Sequence, residues 1–251
     1  MKKCLKILNL ALLLGLLACS SSTPVETAAS ISTEEQDAIY ALQLQMPEEA
    51  TYALETALKK YQSLDDLAGQ WRIRYLKAAL AFANDDLGEA AAQVDVLEEI
   101  AEQLNSPTIK FKTYLVLARS RDDRQYYYDT LKVASSTIEK AVVHAYLGDT
   151  RLAVELLEGV DSNSPGDSGF VYYQHAMATG SPAYFQLSLN AYKSAQDSRG
   201  VADSLVSLAR IEVSKDRIHR AKTYARRAVR VLEAAGDDEK AKKIDAWIST
   251  L

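Results

Sequence analysis

Small residues recur in pairs, twelve positions apart, along most of this 251-residue chain. Two helices can pack closely only where side chains are small, so a small residue at a fixed separation in each helix marks an antiparallel helical hairpin. The ten Gly and five Pro residues fall mostly between alanine- and leucine-rich amphipathic segments, and no convincing strand pattern follows Thr33. We therefore predict an all-α protein. The marker pairs are Ala41/Ala53, Ala78/Ala90, Ala118/Thr130, Ala141/Ala153, Ala176/Ser188 and Ala209/Ala221.

The last two intervals between successive first markers are 35 and 33 residues. The best local matches to a repeat lie at 145–157, at 184–195 and from Leu205 to Ala228. This pattern resembles the tetratricopeptide repeat, whose unit is about 34 residues. The resemblance implies a right-handed superhelical solenoid of antiparallel helix pairs over 33–251, about six pairs, with residues 237–251 as a C-terminal capping helix.

The chain also departs from that family. No repeat carries the full Trp-Leu-Gly-Tyr set, and the third interval is only 23 residues. An irregular helical bundle is the alternative. Helix starts are predicted at three prolines and at residues 32–35, Ser-Thr-Glu-Glu, which fit a capping box. The prolines are Pro47, Pro107 and Pro182.

The N-terminus has the order of an export signal, with lysines at positions 2, 3 and 6 before an apolar run over 7–17. Residues 16–19, Leu-Leu-Ala-Cys, resemble the lipobox of bacterial lipoproteins, which predicts a signal peptide over 1–18 and transfer of a diacylglycerol, labelled by palmitate, to the thiol of Cys19. Residues 19–32 are predicted to form a flexible tether. Ser20 favours the outer membrane, facing the periplasm, by the sorting rule of such proteins; ordinary secretion is the alternative.

Charge is distributed unevenly along the chain. Removal of the leader lysines leaves 26 basic against 34 acidic residues, a net charge of −8, which argues against a general nucleic-acid binder. Residues 34–104 hold fifteen acids and five bases, whereas 199–230 hold nine bases and three acids. On the predicted helix over 217–232, a basic face opposes the apolar one. This face is either solvated or a dock for acidic partners, and its candidate residues are Arg226, Arg227 and Arg230.

Motifs of catalysis are not found. The three histidines are far apart and lack ligand spacing, so no metal is expected, and no glycine-rich phosphate loop predicts a cofactor. Adjacent acids such as Asp65 and Asp66 are interpreted as helix caps. Residues 161–169, Asp-Ser-Asn-Ser-Pro-Gly-Asp-Ser-Gly, are interpreted as a solvated linker. We therefore expect that the protein is not an enzyme.

If the repeats follow the family, the first helix of each hairpin lines a concave groove that holds partner segments. Tyr and Arg dominate binding energy at interfaces, so those at groove positions are candidate contacts. The expected function is a non-catalytic, membrane-anchored scaffold or adaptor for envelope proteins, in envelope, secretion or pilus assembly. A regulator or hydrolase of cell-wall material and a structural outer-membrane spacer are the alternatives. The candidate groove residues are Arg72, Tyr75, Arg119, Tyr173 and Arg210.

Overall fold

The computed structural model describes residues 31–43, 46–84, 86–121, 123–160 and 164–251. In these ranges the backbone forms thirteen α-helices and no strand, as the marker pairs predict. The predicted leader, Cys19 and the tether up to residue 30 lie outside the described residues. The helices are α1 (Thr33–Gln43), α2 (Pro47–Ser63), α3 (Leu67–Ala83), α4 (Leu87–Leu104), α5 (Pro107–Arg121), α6 (Arg124–Val133), α7 (Thr137–Leu147), α8 (Thr150–Leu157), α9 (Pro165–Thr179), α10 (Pro182–Ser194), α11 (Ser198–Ser214), α12 (Ile218–Ala234) and α13 (Asp238–Ser249).

Packing follows the order of the chain. Each helix contacts the helix that follows it, so the chain forms a series of hairpins. Some odd-numbered helices also contact each other: α3 touches α5, α7 touches α9, and α9 touches α11. The first helices of these hairpins therefore lie side by side, α3 with α5, and α9 with α7 and α11. We call the odd-numbered helices the inner row. Contact mainly between sequence neighbours is typical of helical repeats.

The marker residues lie where the helices of a hairpin meet. In the five pairs from Ala78/Ala90 onward, both members are fully buried, which confirms the reasoning from side-chain size. The first hairpin is different, because Ala53 is only half-buried. The fully buried pair there is Ala38 and Ala50, which are also twelve residues apart. The prediction for this hairpin was therefore wrong by three positions, since alanine-rich helices offer several small residues on one face.

Two buried tyrosines pack on glycines of the following helix. A Cβ atom on Gly69 would lie 2.3 Å from the ring of Tyr61, and one on Gly200 would lie 2.4 Å from the ring of Tyr192. A Cβ on Gly169 would also come within 2.8 Å of Tyr192. Only glycine permits this approach, so these positions fix the distance between successive hairpins.

Helix starts carry the predicted side-chain signals. Helices α2, α5 and α10 begin at the predicted prolines. Asp66, Asp86 and Asp237 each accept a hydrogen bond from the backbone N–H three residues later, at 2.9, 2.9 and 3.2 Å, so their interpretation as caps is confirmed. Ser32 Oγ accepts from the backbone N–H of Glu35 at 3.1 Å, which is one half of the expected capping box.

The interpretation of 161–169 as a solvated linker is wrong for its second part. Helix α9 begins at Pro165, and residues 166–169 are buried. Ser188 Oγ donates a hydrogen bond to the carbonyl oxygen of Gly169 at 3.0 Å. Small residues that suggest a loop by composition here allow the first turn of α9 to pack closely on its neighbours.

The last helix covers the end of the row, as predicted. Ile244 and Ile248 of α13 are buried in one cluster with α11 and α12, and Trp247 packs against it. Lys240 Nζ forms an ion pair with Asp203 of α11 at 2.7 Å. None of the described helices combines the length and the apolar character needed to cross a bilayer.

Candidate functional site

A buried arginine lies in the inner row, in the last turn of α5. Arg119 is 7% exposed, and neither Nη1 nor Nη2 has a hydrogen-bond partner. Its guanidinium carbon lies 4.1 Å from the ring centroid of Phe82 and 5.9 Å from that of Tyr146. The two rings therefore stabilise the cation through their faces, but they accept no hydrogen bonds in the guanidinium plane.

Two tyrosine hydroxyls are buried close to this guanidinium. Tyr75 of α3 is fully buried and Tyr146 of α7 is half-buried, and the hydroxyl of each lacks a hydrogen-bond partner. Burial raises the pKa of both phenols, and the positive charge of Arg119 partly opposes the shift. Each tyrosine ring is stacked on a neighbouring aromatic ring. The ring centroids of Tyr75 and Trp71 lie 5.0 Å apart, and those of Tyr146 and Tyr127 lie 5.4 Å apart.

A carboxyl group completes the cluster. Asp167, in the first turn of α9, is buried and accepts a hydrogen bond from Ser164 Oγ at 2.5 Å. Burial raises the pKa of Asp167 to about 6, and its charge raises the pKa of Tyr75 and Tyr146. We call Tyr75, Arg119, Tyr146 and Asp167 the Arg119 cluster. It brings together side chains from α3, α5, α7 and α9, and its unused donors could hold an anion.

The structure places the five predicted groove residues in different surroundings. Tyr75 and Arg119 are buried instead of lining an open groove, and the rings of Trp71 and Phe82 pack against them. Arg72 is half-buried and binds the buried carboxylate of Glu35 at 2.8 and 3.0 Å. The hydroxyl groups of Tyr173 and Ser207 lie 3.2 Å apart. Arg210 is exposed on α11.

The predicted basic face lies on α12. Arg226 and Arg230 are exposed, whereas Arg227 is half-buried and its guanidinium carbon lies 5.7 Å from the ring centroid of Tyr224. Arg220, on the same helix, lies 3.5 Å from the carboxylate of Glu212. Within the described helices, neither Arg226 nor Arg230 forms an ion pair with an acidic side chain. These two arginines therefore form an exposed basic surface.

Sequence reasoning missed a cleft between α1 and α2. It has a volume of about 530 Å³ and includes two tyrosines, Tyr40 and Tyr52, which are 63% and 74% exposed. Their position was not evident, because the first marker pair was assigned three residues too late. Acidic residues line the same cleft. We call it the N-terminal cleft, and its lining is Glu34, Asp37, Tyr40, Ala41, Met46, Glu48, Glu49, Tyr52, Ala53 and Thr56.

In the part of the chain that the structure describes, no group of three or more His, Cys, Asp or Glu residues is arranged to hold a metal ion. No known family model matches the chain, and no curated protein matches it.

Proposed function

We propose that this protein is a non-catalytic scaffold, anchored by lipid at Cys19 to the outer membrane and facing the periplasm, that binds other envelope proteins. Its hairpins would form a right-handed superhelical solenoid of tetratricopeptide type, capped by α13. The order of helix contacts and the buried marker pairs support this architecture.

The observation that carries the proposal is the N-terminal cleft. Large exposed aromatic side chains in one depression are uncommon on a surface without a partner, and tyrosine is enriched among residues that dominate binding energy. Tyr40, Tyr52 and the 38% exposed Met46 supply apolar contact area. Glu48 and Glu49 supply negative charge at the first turn of α2. The partner that fits this cleft is a protein segment with basic side chains and at least one apolar anchor.

A direct test uses a fluorescent peptide that contains arginine and phenylalanine. The full chain in a nonionic detergent should bind it, and replacing both Tyr40 and Tyr52 with Ala should weaken binding at least about tenfold, since hot-spot truncations cost 2 kcal/mol or more. Tyr128→Ala is the matched control, because Tyr128 is 44% exposed on α6, outside the cleft. Equal affinities for the two variants would refute the cleft as the binding surface.

The scaffold role is tested in cells with a photo-crosslinking amino acid at position 52 or 128. The proposal expects discrete adducts with envelope proteins from position 52 and none of the same size from position 128. Cys19→Ala tests the anchor separately, because this variant should lose palmitate labelling. Equal palmitate labelling of variant and wild type would refute lipidation at Cys19, but it would not affect the proposal that the N-terminal cleft binds partners.

A further inference from the structure

Two arginines of the inner row lie over aromatic rings, and their pairing differs. The guanidinium of Arg72 lies 5.4 Å from the ring centroid of Tyr61 and binds both carboxylate oxygens of Glu35. The guanidinium of Arg119 lies over Phe82, yet both of its Nη atoms lack an acceptor. The chain thus pairs the half-buried guanidinium of Arg72 with its own carboxylate and leaves the buried guanidinium of Arg119 without one.

An isolated buried charge is unfavourable unless it is paired and hydrogen-bonded. The buried carboxyl of Asp167 does not perform this role, since it accepts a hydrogen bond from Ser164 and makes none with Arg119 Nη1 or Nη2. The hydroxyls of Tyr75 and Tyr146 add two further donors without acceptors. The guanidinium therefore has two unused Nη donors of its own, and α3 and α7 each add one unused tyrosyl hydroxyl whose pKa senses its charge.

We propose that the Arg119 cluster binds a carboxylate group from outside the chain. A carboxylate presents two oxygen atoms in one plane, which matches the two Nη donors of a guanidinium, and its remaining lone pairs can accept from the two tyrosyl hydroxyls. Arg72 makes a two-point contact of the same general kind within this protein, although it uses Nε and Nη2 to bind the two oxygens of Glu35. The site does not involve the N-terminal cleft, so it is independent of the proposed function.

The position of the donors limits the ligand to a small group. The Nη atoms and hydroxyls are buried, and Phe82 covers one face of the guanidinium. Tyr146 is half-buried whereas Tyr75 is fully buried, so the ligand enters on the Tyr146 side. The carboxylate belongs either to a small free acid or to the C-terminus of a partner peptide, since both present the same chemistry.

The test is a titration of the full chain, in nonionic detergent, with sodium acetate. The quantity measured at each acetate concentration is the midpoint temperature of thermal unfolding. Acetate should raise the midpoint in a saturable way. Equal concentrations of sodium chloride and of acetamide, the neutral isostere, should not. If chloride or acetamide gives the same shift as acetate, the carboxylate site does not exist.

Variants assign the effect to the cluster. Arg119→Gln should abolish the acetate shift, and Arg119→Lys, which keeps the charge but loses the planar donor pair, should weaken acetate binding about tenfold or more. Arg210→Gln should leave it unchanged, because Arg210 holds the equivalent position on α11 but is exposed. If Arg119→Gln is unstable, Tyr75→Phe combined with Tyr146→Phe serves instead and should reduce the shift. A shift retained in all these variants would overturn the proposal.

A peptide ending in a free carboxylate and its C-terminal amide distinguish the two sources. If the site serves a free acid, neither peptide competes with ¹³C-labelled acetate in NMR line-broadening measurements. If it serves a partner's C-terminus, the free-carboxylate peptide competes and the amide does not. Both results support the site, whereas equal competition by the two peptides contradicts it.

Discussion

The helix pairs α3/α5 and α9/α11 place the same residue types at the same repeat positions, with different outcomes. Tyr75 and Tyr173 each lie three residues before a first marker, and Arg119 and Arg210 each lie one residue after one. In the first pair of helices, tyrosine and arginine are buried without hydrogen-bond partners at the hydroxyl and the Nη atoms. In the second, the tyrosine contacts a serine hydroxyl and the arginine is exposed.

The neighbouring residues explain this difference. Ser207, two residues before its marker, lies 3.2 Å from the hydroxyl of Tyr173, whereas the equivalent residue on α5 is the apolar Val116. Four residues after the preceding marker, Phe82 covers Arg119, but Gly180 occupies the equivalent position before Arg210. A repeat position therefore does not determine burial or pairing, because both depend on side chains from adjacent repeats.

The largest expected effect on stability comes from a feature that the two regions share, a glycine packed against a buried tyrosine ring. Gly69 and Gly200 both lie nine residues before a marker, and each contacts a buried tyrosine ring. Gly200→Ala should lower the free energy of unfolding by about 3 kcal/mol, because Tyr192 is buried and cannot move aside without steric strain. Chemical denaturation of the full chain measures the change.

The control for this variant is Gly88→Ala. A Cβ atom on Gly88 would contact only Asp86 Oδ1, at 3.4 Å, and alanine favours a helix over glycine. Stability should therefore stay the same or rise by up to about 1 kcal/mol. Equal destabilisation by Gly88→Ala and Gly200→Ala would show that close contact with the tyrosine is not the cause.

Asp167 occupies in α9 the position that Gly69 and Gly200 occupy in α3 and α11. Burial raises its pKa to about 6 in the folded state, from about 4 in the unfolded chain. The folded state thus binds this proton more tightly than the unfolded chain. Protonation of Asp167 therefore makes its whole contribution to the free energy of unfolding below about pH 4, and this contribution is lost as the pH rises through about 6.

In the wild type, the free energy of unfolding should fall between pH 4 and 7 as Asp167 ionises. We predict that Asp167→Asn makes this fall smaller by an amount on the order of 2 kcal/mol. The measurement is the unfolding free energy at several pH values, as the difference between variant and wild type. Asp37→Asn is the control, since Asp37 is exposed on α1. The same pH dependence in all three proteins would contradict the assignment of a raised pKa to Asp167.

The helical architecture was predictable because its signals are local. Prolines at helix starts and capping aspartates depend on residues within one turn, and marker spacing depends on two helices adjacent in the sequence. The structure confirms the predicted proline starts and aspartate caps, and the marker pairs from Ala78 onward. The burial of Arg119 was not predictable from its own repeat, since Phe82 and Tyr146 come from neighbouring hairpins. Asp167 was missed because its small, polar neighbours are typical of loops, although they also permit close packing.

The next prediction concerns the two equivalent arginines. Arg119→Met should raise the free energy of unfolding by about 1 to 2 kcal/mol in buffer without carboxylates, because a similar apolar side chain replaces a buried cation whose Nη atoms lack acceptors. Arg210→Met should change it by no more than about 0.5 kcal/mol, as is typical of surface sites. Urea denaturation at matched pH compares the two. Destabilisation by Arg119→Met would show that the contacts with the Phe82 and Tyr146 rings outweigh the cost of burying the unpaired Nη atoms.

The smallest expected effect differs in sign between the equivalent tyrosines. Tyr75→Phe removes a buried hydroxyl that has no partner, so it should stabilise the protein by about 1 kcal/mol. Tyr173→Phe removes the contact with Ser207 Oγ and leaves that oxygen without it, so it should destabilise the protein by about the same amount. Urea denaturation resolves the difference of about 2 kcal/mol between the effects of the two substitutions.

A second substitution at the equivalent positions, Val116→Ser or Ser207→Val, tests the cause. In the Val116→Ser background the Tyr75 hydroxyl should gain a partner, so Tyr75→Phe should then destabilise the protein. Effects of the same sign at both tyrosines, unchanged by the second substitution, would mean that hydroxyl pairing is not what distinguishes α3/α5 from α9/α11.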